Sequence, residues 1–234
     1  MNINKHRIIG SLISPLIRSF VGIARLIRIN KLFRELPSKY KFCQWLWQWT
    51  TYNSNFEMRG SSHQISGLKD LISWIGDVKN LTLVEIGSYR GESARIFLDS
   101  GKFSRIYCVD PWENCYDVND FAGFTNMKLA EKDFDERVGN DSRVTKVKGT
   151  IETLVETYPE LHPDVIYVDG CHTYDAVKND LTISLSKLKP RLAICGHDFS
   201  DAFSGCREAI IETCGVPDKT FADTSWAKRI QRNV

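Results

Sequence analysis

Leu83-Val84-Glu85-Ile86-Gly87-Ser88-Tyr89-Arg90-Gly91-Glu92-Ser93 decides how this 234-residue chain is read. The apolar run from Leu81 to Ile86 carries an acidic residue near its end; Gly87 follows it, and Gly91 comes four positions later. A run rich in Leu, Val and Ile predicts a buried parallel strand. Glycines just after it predict a sharp turn where backbone can approach a ligand closely. Ser93-Ala94-Arg95-Ile96-Phe97-Leu98 continues with helical periodicity. Strand, glycine turn and helix N-terminus make the geometry in which an open sheet binds a small cofactor at its carboxyl edge. A dinucleotide fingerprint would need G-x-G-x-x-G. Here the pattern is Glu85-x-Gly87-x-x-x-Gly91, without the middle glycine and with a carboxylate that repels phosphate and suits an ammonium group. On these residues alone, an ordinary strand-to-helix turn of another α/β protein is the competing reading.

Further strands follow along the chain. Ser104-Arg105-Ile106-Tyr107-Cys108-Val109 reads as a second strand ending in Asp110-Pro111-Trp112. An acid about 20 to 25 residues past the glycine turn is where doubly wound folds hold a ribose, although Asp before Pro also starts turns. Residues 143–148 read as a third strand closed by Gly149-Thr150, 163–169 as a fourth, and Arg191 to Gly196 as a fifth. Tyr174 to Leu188 and Ser204 to Cys214 have helical spacing, and 219–230 reads as a short hairpin. The fourth and fifth strands deliver Asp169, His172, His197 and Asp198 to the same sheet edge as the glycine turn, where open α/β sheets bind ligands. Bland alternatives exist for three of them: His172 opens a helix, and His197-Asp198 suits a turn. An acid directly after a buried strand, as Asp169 is, seldom serves the core.

The glycine turn resembles motif I of class I S-adenosylmethionine (SAM) methyltransferases. Val168-Asp169-Gly170-Cys171-His172-Thr173-Tyr174 and Gly196-His197-Asp198-Phe199 resemble the sugar O-methyltransferase group that includes macrocin and cephalosporin-tailoring enzymes. The likeness covers about residues 65 to 232. It implies an α/β fold with a doubly wound, mostly parallel seven-stranded sheet. Glu85, Gly87, Ser88, Tyr89, Gly91 and Ser93 would hold the methionine part of SAM, Asp110 the ribose, and Gly149, Thr150 and Ile151 the adenine, with Asp169 also at the cofactor. Asp169, His197 and His172 are the implied catalytic residues. In metal-bearing relatives a carboxylate after strand four and two adjacent groups after strand five hold magnesium, and those roles would fall on Asp169, His197 and Asp198. His197 departs from that pattern, because imidazole is a less natural magnesium ligand than oxygen. A histidine acting as general base without metal is the other reading. The implied reaction is O-methylation of a sugar or saccharide conjugate hydroxyl. A non-enzymatic interaction protein that keeps the fold is the alternative.

Composition agrees with a globular enzyme of one sizeable domain plus an extension: residues 65–234 form the methyltransferase domain, residues 1–64 a basic helical extension and aromatic linker. The seven cysteines form no C-x-x-C pair, and reduced thiols in a cytoplasmic protein account for them. Residues 1–41 hold nine Lys or Arg against Glu35, so the remainder carries net −6 of the chain's +2. Leu16, Phe20, Ile23 and Ile27 follow helical spacing in that arm. It suits either an anionic membrane surface or packing on its own domain or on a partner subunit in a homo-oligomer. No RNA-binding motif accompanies the charge, so no nucleic-acid partner is expected. The aromatic run from Trp45 to Trp49 reads as packing, Met58 to His63 as a loop before the first helix. The stretch from Asn114 to Asn140 reads as an acceptor lid, with Trp112, Tyr116 and Phe121 for stacking on a sugar face.

Overall fold

In the computed structural model, residues 62–113 and 126–231 are described. All of them but Asn126 belong to the compact unit of Met58–Glu113 and Met127–Val234. The basic arm, the linker up to residue 61, Tyr116 and Phe121 lie outside the described residues. Among the described residues no helix is long and apolar enough to cross a membrane.

The strands are β1 (Leu81–Ile86), β2 (Phe103–Asp110), β3 (Val144–Lys148), β4 (Val165–Val168), β5 (Ala193–Gly196), β6 (Lys219–Thr220) and β7 (Trp226–Arg229). They form one sheet in the order β3-β2-β1-β4-β5-β7-β6. The first five are parallel, and β7 enters antiparallel to β5 with β6 beside it. The doubly wound, mostly parallel seven-stranded sheet expected from the sequence is therefore present, and the C-terminal hairpin completes it.

The helices are α1 (Ser62–Ile75), α2 (Glu92–Asp99), α3 (Met127–Phe134), α4 (Ile151–Thr157), α5 (Tyr174–Ile183) and α6 (Ser204–Cys214). They cover both faces, and the strand period of two decides which residue meets which layer. Leu83, Cys108, Tyr167 and Cys195 pack with Leu68 and Leu71 of α1, Phe97 of α2 and Phe134 of α3. Val84, Val109, Ile166 and Ile194 pack on the other face with Leu154 of α4, Leu181 of α5 and Ile210 of α6. Burial on both faces is why these strands read as continuous apolar runs.

Three details differ from the sequence reading. The first described helix already begins at Ser62, so Ser62 and His63 are helical rather than loop. The helix over 174–188 is α-helical to Ile183, and Ser184–Leu188 closes it as a π-turn ending at Lys189 in the left-handed region. Residues 127–139, read from the sequence only as part of a lid, are helical throughout, as α3 and a π-turn over Asp135–Gly139.

Candidate active site

Strand register sets the site. Ile86 pairs with Val109 on one side and Val168 on the other, and Val168 pairs with Gly196. The next residue of each strand, Asp110, Gly87, Asp169 and His197, therefore falls in one row along the carboxyl edge. Backbone bonds continue the row past the strands: Gly87 N–H donates to Val109 O (2.8 Å), Asp169 N–H to Ile86 O (2.8 Å) and His197 N–H to Val168 O (3.1 Å).

At the β1 end the chain turns through Gly87 (φ 90°), Tyr89 (φ 45°) and Gly91 (φ 73°). A Cβ on Gly87 would lie 2.1 Å from the Asp169 carbonyl oxygen, so only glycine lets the two turns meet. Gly91 has a packing reason of its own, since a Cβ there would sit 2.8 Å from Val138 Cγ2. Glu85 is fully enclosed beneath the turn, and its Oε2 accepts the Ser88 hydroxyl at 2.6 Å. Ser93 is buried in the first turn of α2.

Asp110 is buried, and its two oxygens accept the backbone N–H of Tyr89 (2.9 Å) and of Trp112 (2.7 Å). Burial pushes its pKa up, and these two bonds work against that shift. Each oxygen keeps a second lone pair, so the carboxylate can still accept hydrogen bonds from a diol such as that of a ribose. Gly149 N–H donates to Asp110 O (3.1 Å), bringing the β3 turn alongside. There Thr150 caps α4 in a reciprocal box with Thr153. Gly149, at φ 154°, would place a Cβ 2.4 Å from Thr153 Oγ1.

Trp112 corrects the sequence reading. Rather than offering a stacking face, it is 3% exposed, donates its indole N–H to Tyr89 O (2.7 Å) and packs on Phe134. An aromatic carrying a hydrogen-bond donor serves here to brace the glycine turn. Arg90 was also not anticipated. It is 1% exposed and pairs with Asp133 of α3 at 3.3 Å. Nothing in the local pattern separates a buried arginine from a surface one.

Past β4 and β5, four side chains converge. His172 Nε2 lies 2.9 Å from Asp198 Oδ2 and 3.9 Å from Asp169 Oδ1. His197 Nδ1 lies 3.1 Å from Asp198 Oδ1 and 3.8 Å from Asp169 Oδ1. Asp198 thus bridges both imidazoles, from a left-handed backbone (φ 59°) that aims its carboxylate inward. Burial opposes its ionisation, but hydrogen bonds from His172 and then His197 outweigh that, holding the carboxyl well below its usual range. Val168, Val177, Cys206, Ile210 and Trp226 line a small pocket behind the cluster. A fifth group, Asp223 from the turn between β6 and β7, approaches His197 Nε2 at 3.9 Å and was not singled out from the sequence.

Donor atoms of Asp169, His172 and Asp198 lie within 4.8 Å of one another, a spacing that could hold a cation. With His197 the set is two carboxylates and two imidazoles. Magnesium prefers an all-oxygen octahedral shell with several waters, so a set that includes two imidazole nitrogens fits it poorly. Nitrogen donors suit transition metals better.

Residues 84–199 match the family model described as a methyltransferase domain. No curated protein matches the chain. Among solved structures it is similar to the ribosomal protein L11 methylase from Lactobacillus delbrueckii subsp. bulgaricus, at 18% identity and a TM-score of 0.48 over 74% of this chain and 80% of that one. It is similar to a protein of the NADB-Rossmann superfamily from Streptococcus agalactiae, at 12% identity and a TM-score of 0.45 over 76% of this chain and 72% of that one. It is also similar to a SAM-dependent methyltransferase from Agrobacterium tumefaciens, at 14% identity and a TM-score of 0.42 over 63% of this chain and 50% of that one. The family match takes in the glycine turn, Asp110, Asp169 and the His197-Asp198 pair, so over residues 84–199 the chain is similar to a methyltransferase domain.

Proposed function

We propose that this domain methylates a hydroxyl of a sugar or saccharide conjugate. The observation that carries the reading is the convergence of Asp169, His172, His197 and Asp198 next to the glycine turn, with Gly87 against the Asp169 backbone. SAM, when bound, supplies an electrophilic methyl group on a sulfonium. The chain's own task is then to orient an alcohol and remove its proton, because an aliphatic hydroxyl is too weak an acid to lose it unaided. Asp169 and Asp198 offer oxygens to orient the hydroxyl, and the imidazole pair provides the base. An imidazole titrates near neutral pH, which makes it the better proton acceptor of the two residue types. The saccharide class rests on the resemblance of Val168 to Tyr174 and Gly196 to Phe199 to sugar O-methyltransferases. The enclosed Glu85 would meet the amino group of the methionine part, and Asp110 the ribose.

Because the donor set fits magnesium poorly, no step of the reaction is assigned to a metal. Calorimetry with SAM and S-adenosylhomocysteine tests the donor site, and transfer of labelled methyl from SAM into saccharide extracts tests the acceptor. Binding of neither cofactor form by the wild type would end the enzymatic reading. Label found only in protein or RNA would end the saccharide reading and leave the donor site standing.

A further inference from the structure

Trp226 of β7 lies outside the residues matched by the family model and pairs with Gly196 at the end of β5. Its side chain lies across that strand end: a Cβ on Gly196 would fall 2.7 Å from the indole Nε1 and 2.5 Å from Val168 O. Glycine opposite is what lets so large a ring lie this close to the sheet. The residue is 1% exposed, and among the described residues its indole N–H has no hydrogen-bond partner. An indole nitrogen can only donate, and a buried donor left unpaired is costly. A phenylalanine would fill the same space without that cost.

The indole lines a pocket of about 10 Å³ together with Val168, Asp169, His172, His197 and Cys206. That is room for about one water molecule. The chemistry of the lining narrows the occupant further. The N–H presents the positive end of its dipole, which disfavours a cation. The Asp169 carboxylate in the same lining disfavours an anion. A small neutral molecule that accepts one hydrogen bond and donates others satisfies both.

We infer that this pocket is a water site: the Trp226 indole N–H donates to one buried water, whose protons serve the Asp169 carboxylate and the Val168 carbonyl. Val168 O already accepts His197 N–H at 3.1 Å and keeps a second lone pair. Three polar groups are the usual complement of a buried water. Bridging waters approach direct hydrogen bonds in strength, so Trp226 becomes a positioning residue for Asp169 that acts through the water. The kinetic consequence rests on the proposed methyl transfer, whereas the water site does not.

The test is a high-resolution crystal structure of the full-length protein, joined to water–indole cross-relaxation by NMR. A single water is expected about 2.7–3.2 Å from Trp226 Nε1. The Trp226 indole proton, assigned through its own Cβ, should show a cross-peak to bound water. The Trp112 indole, which donates to Tyr89 O, should show none. An ion at that position, no density there, or no cross-peak at Trp226 overturns the inference without recourse to any variant. Trp226→Phe keeps a ring and removes the donor, so the water is expected to leave. A water retained at the same place in that variant would overturn Trp226 as its anchor. In labelled methyl transfer to a saccharide extract, Trp226→Phe should lower kcat about 5- to 10-fold, the size of one lost hydrogen bond, with the KM for SAM unchanged. Unaltered turnover in a folded variant overturns the positioning role. Absence of turnover in the wild type counts against the proposed function and leaves the water site intact.

Discussion

Gly87 and Asp169 meet backbone against backbone, so closely that a single added carbon on Gly87 would fall 2.1 Å from the Asp169 carbonyl oxygen. This contact joins the glycine turn after β1 to the acid after β4, and it makes the edge one unit rather than two neighbouring loops. Gly87→Ala combines that clash with a positive φ. The variant is expected to lose at least about 2 kcal/mol of stability and to bind SAM measurably more weakly. Thermal melting and calorimetry check both, and a variant that melts and binds like the wild type would refute the close-contact account.

Asp110 organises the turn through both of its carboxylate oxygens. Asp110→Asn leaves one carbonyl oxygen for two backbone N–H donors, those of Tyr89 and Trp112. One amide is then opposed by an NH2 group, at a cost of roughly 1–3 kcal/mol. SAM binding should weaken together with stability. Weaker binding without any loss of stability would mean that Asp110 contacts only the ligand.

Asp198 shares its carboxylate between two imidazoles, so Asp198→Asn should uncouple them. Methyl transfer is expected to fall by about 10²- to 10⁴-fold, with the affinity for SAM retained. Loss of SAM binding in a folded variant would place Asp198 in the cofactor site instead.

The two imidazoles in the donor set lead to a further expectation: turnover insensitive to EDTA and to added magnesium. A strict magnesium requirement, restored by titration after chelation, would contradict the poor fit argued from the two imidazoles.

Asp180 on α5 gives a pH dependence separate from the cluster. Burial, and then the charge of Glu152, push its pKa up to about 7. With a folded pKa above the unfolded value of about 3.9, the native state binds the extra proton between the two. Stability from this group is therefore present at low pH and declines as pH rises from about 4 to 7. Asp180→Asn should raise stability at pH 8 by on the order of a few kcal/mol at most, read as a higher melting temperature, and change little at pH 4. Equal effects at both pH values would show that Asp180 does not titrate in that range.

The fold was legible because its determinants are local in sequence. Leu81 to Ile86, Val165 to Val168 and Ala193 to Gly196 are apolar runs of strand length, and burial on both faces leaves that mark whatever the strand order. Much of the row along the carboxyl edge was legible for the same reason, since a residue just past a parallel strand must emerge at that edge. Trp112 was misread because an aromatic after a strand has the same local signature whether it stacks on a ligand or braces a turn. Its burial depends on Phe134, 22 positions later.

Local pattern was enough to establish that a doubly wound sheet would carry a glycine turn, an acid after β2 and a set of Asp and His residues at one edge. Tertiary structure alone decided which of these touch. The parallel register Ile86–Val168–Gly196 aligned Gly87, Asp169 and His197, and the left-handed backbone at Asp198 turned its carboxylate to both imidazoles. The antiparallel return of β7 beside β5 carried Asp223 to the far side of His197. Side-chain periodicity reports which face a residue occupies, but distances between residues from separate strands follow from register and packing, which no local pattern encodes.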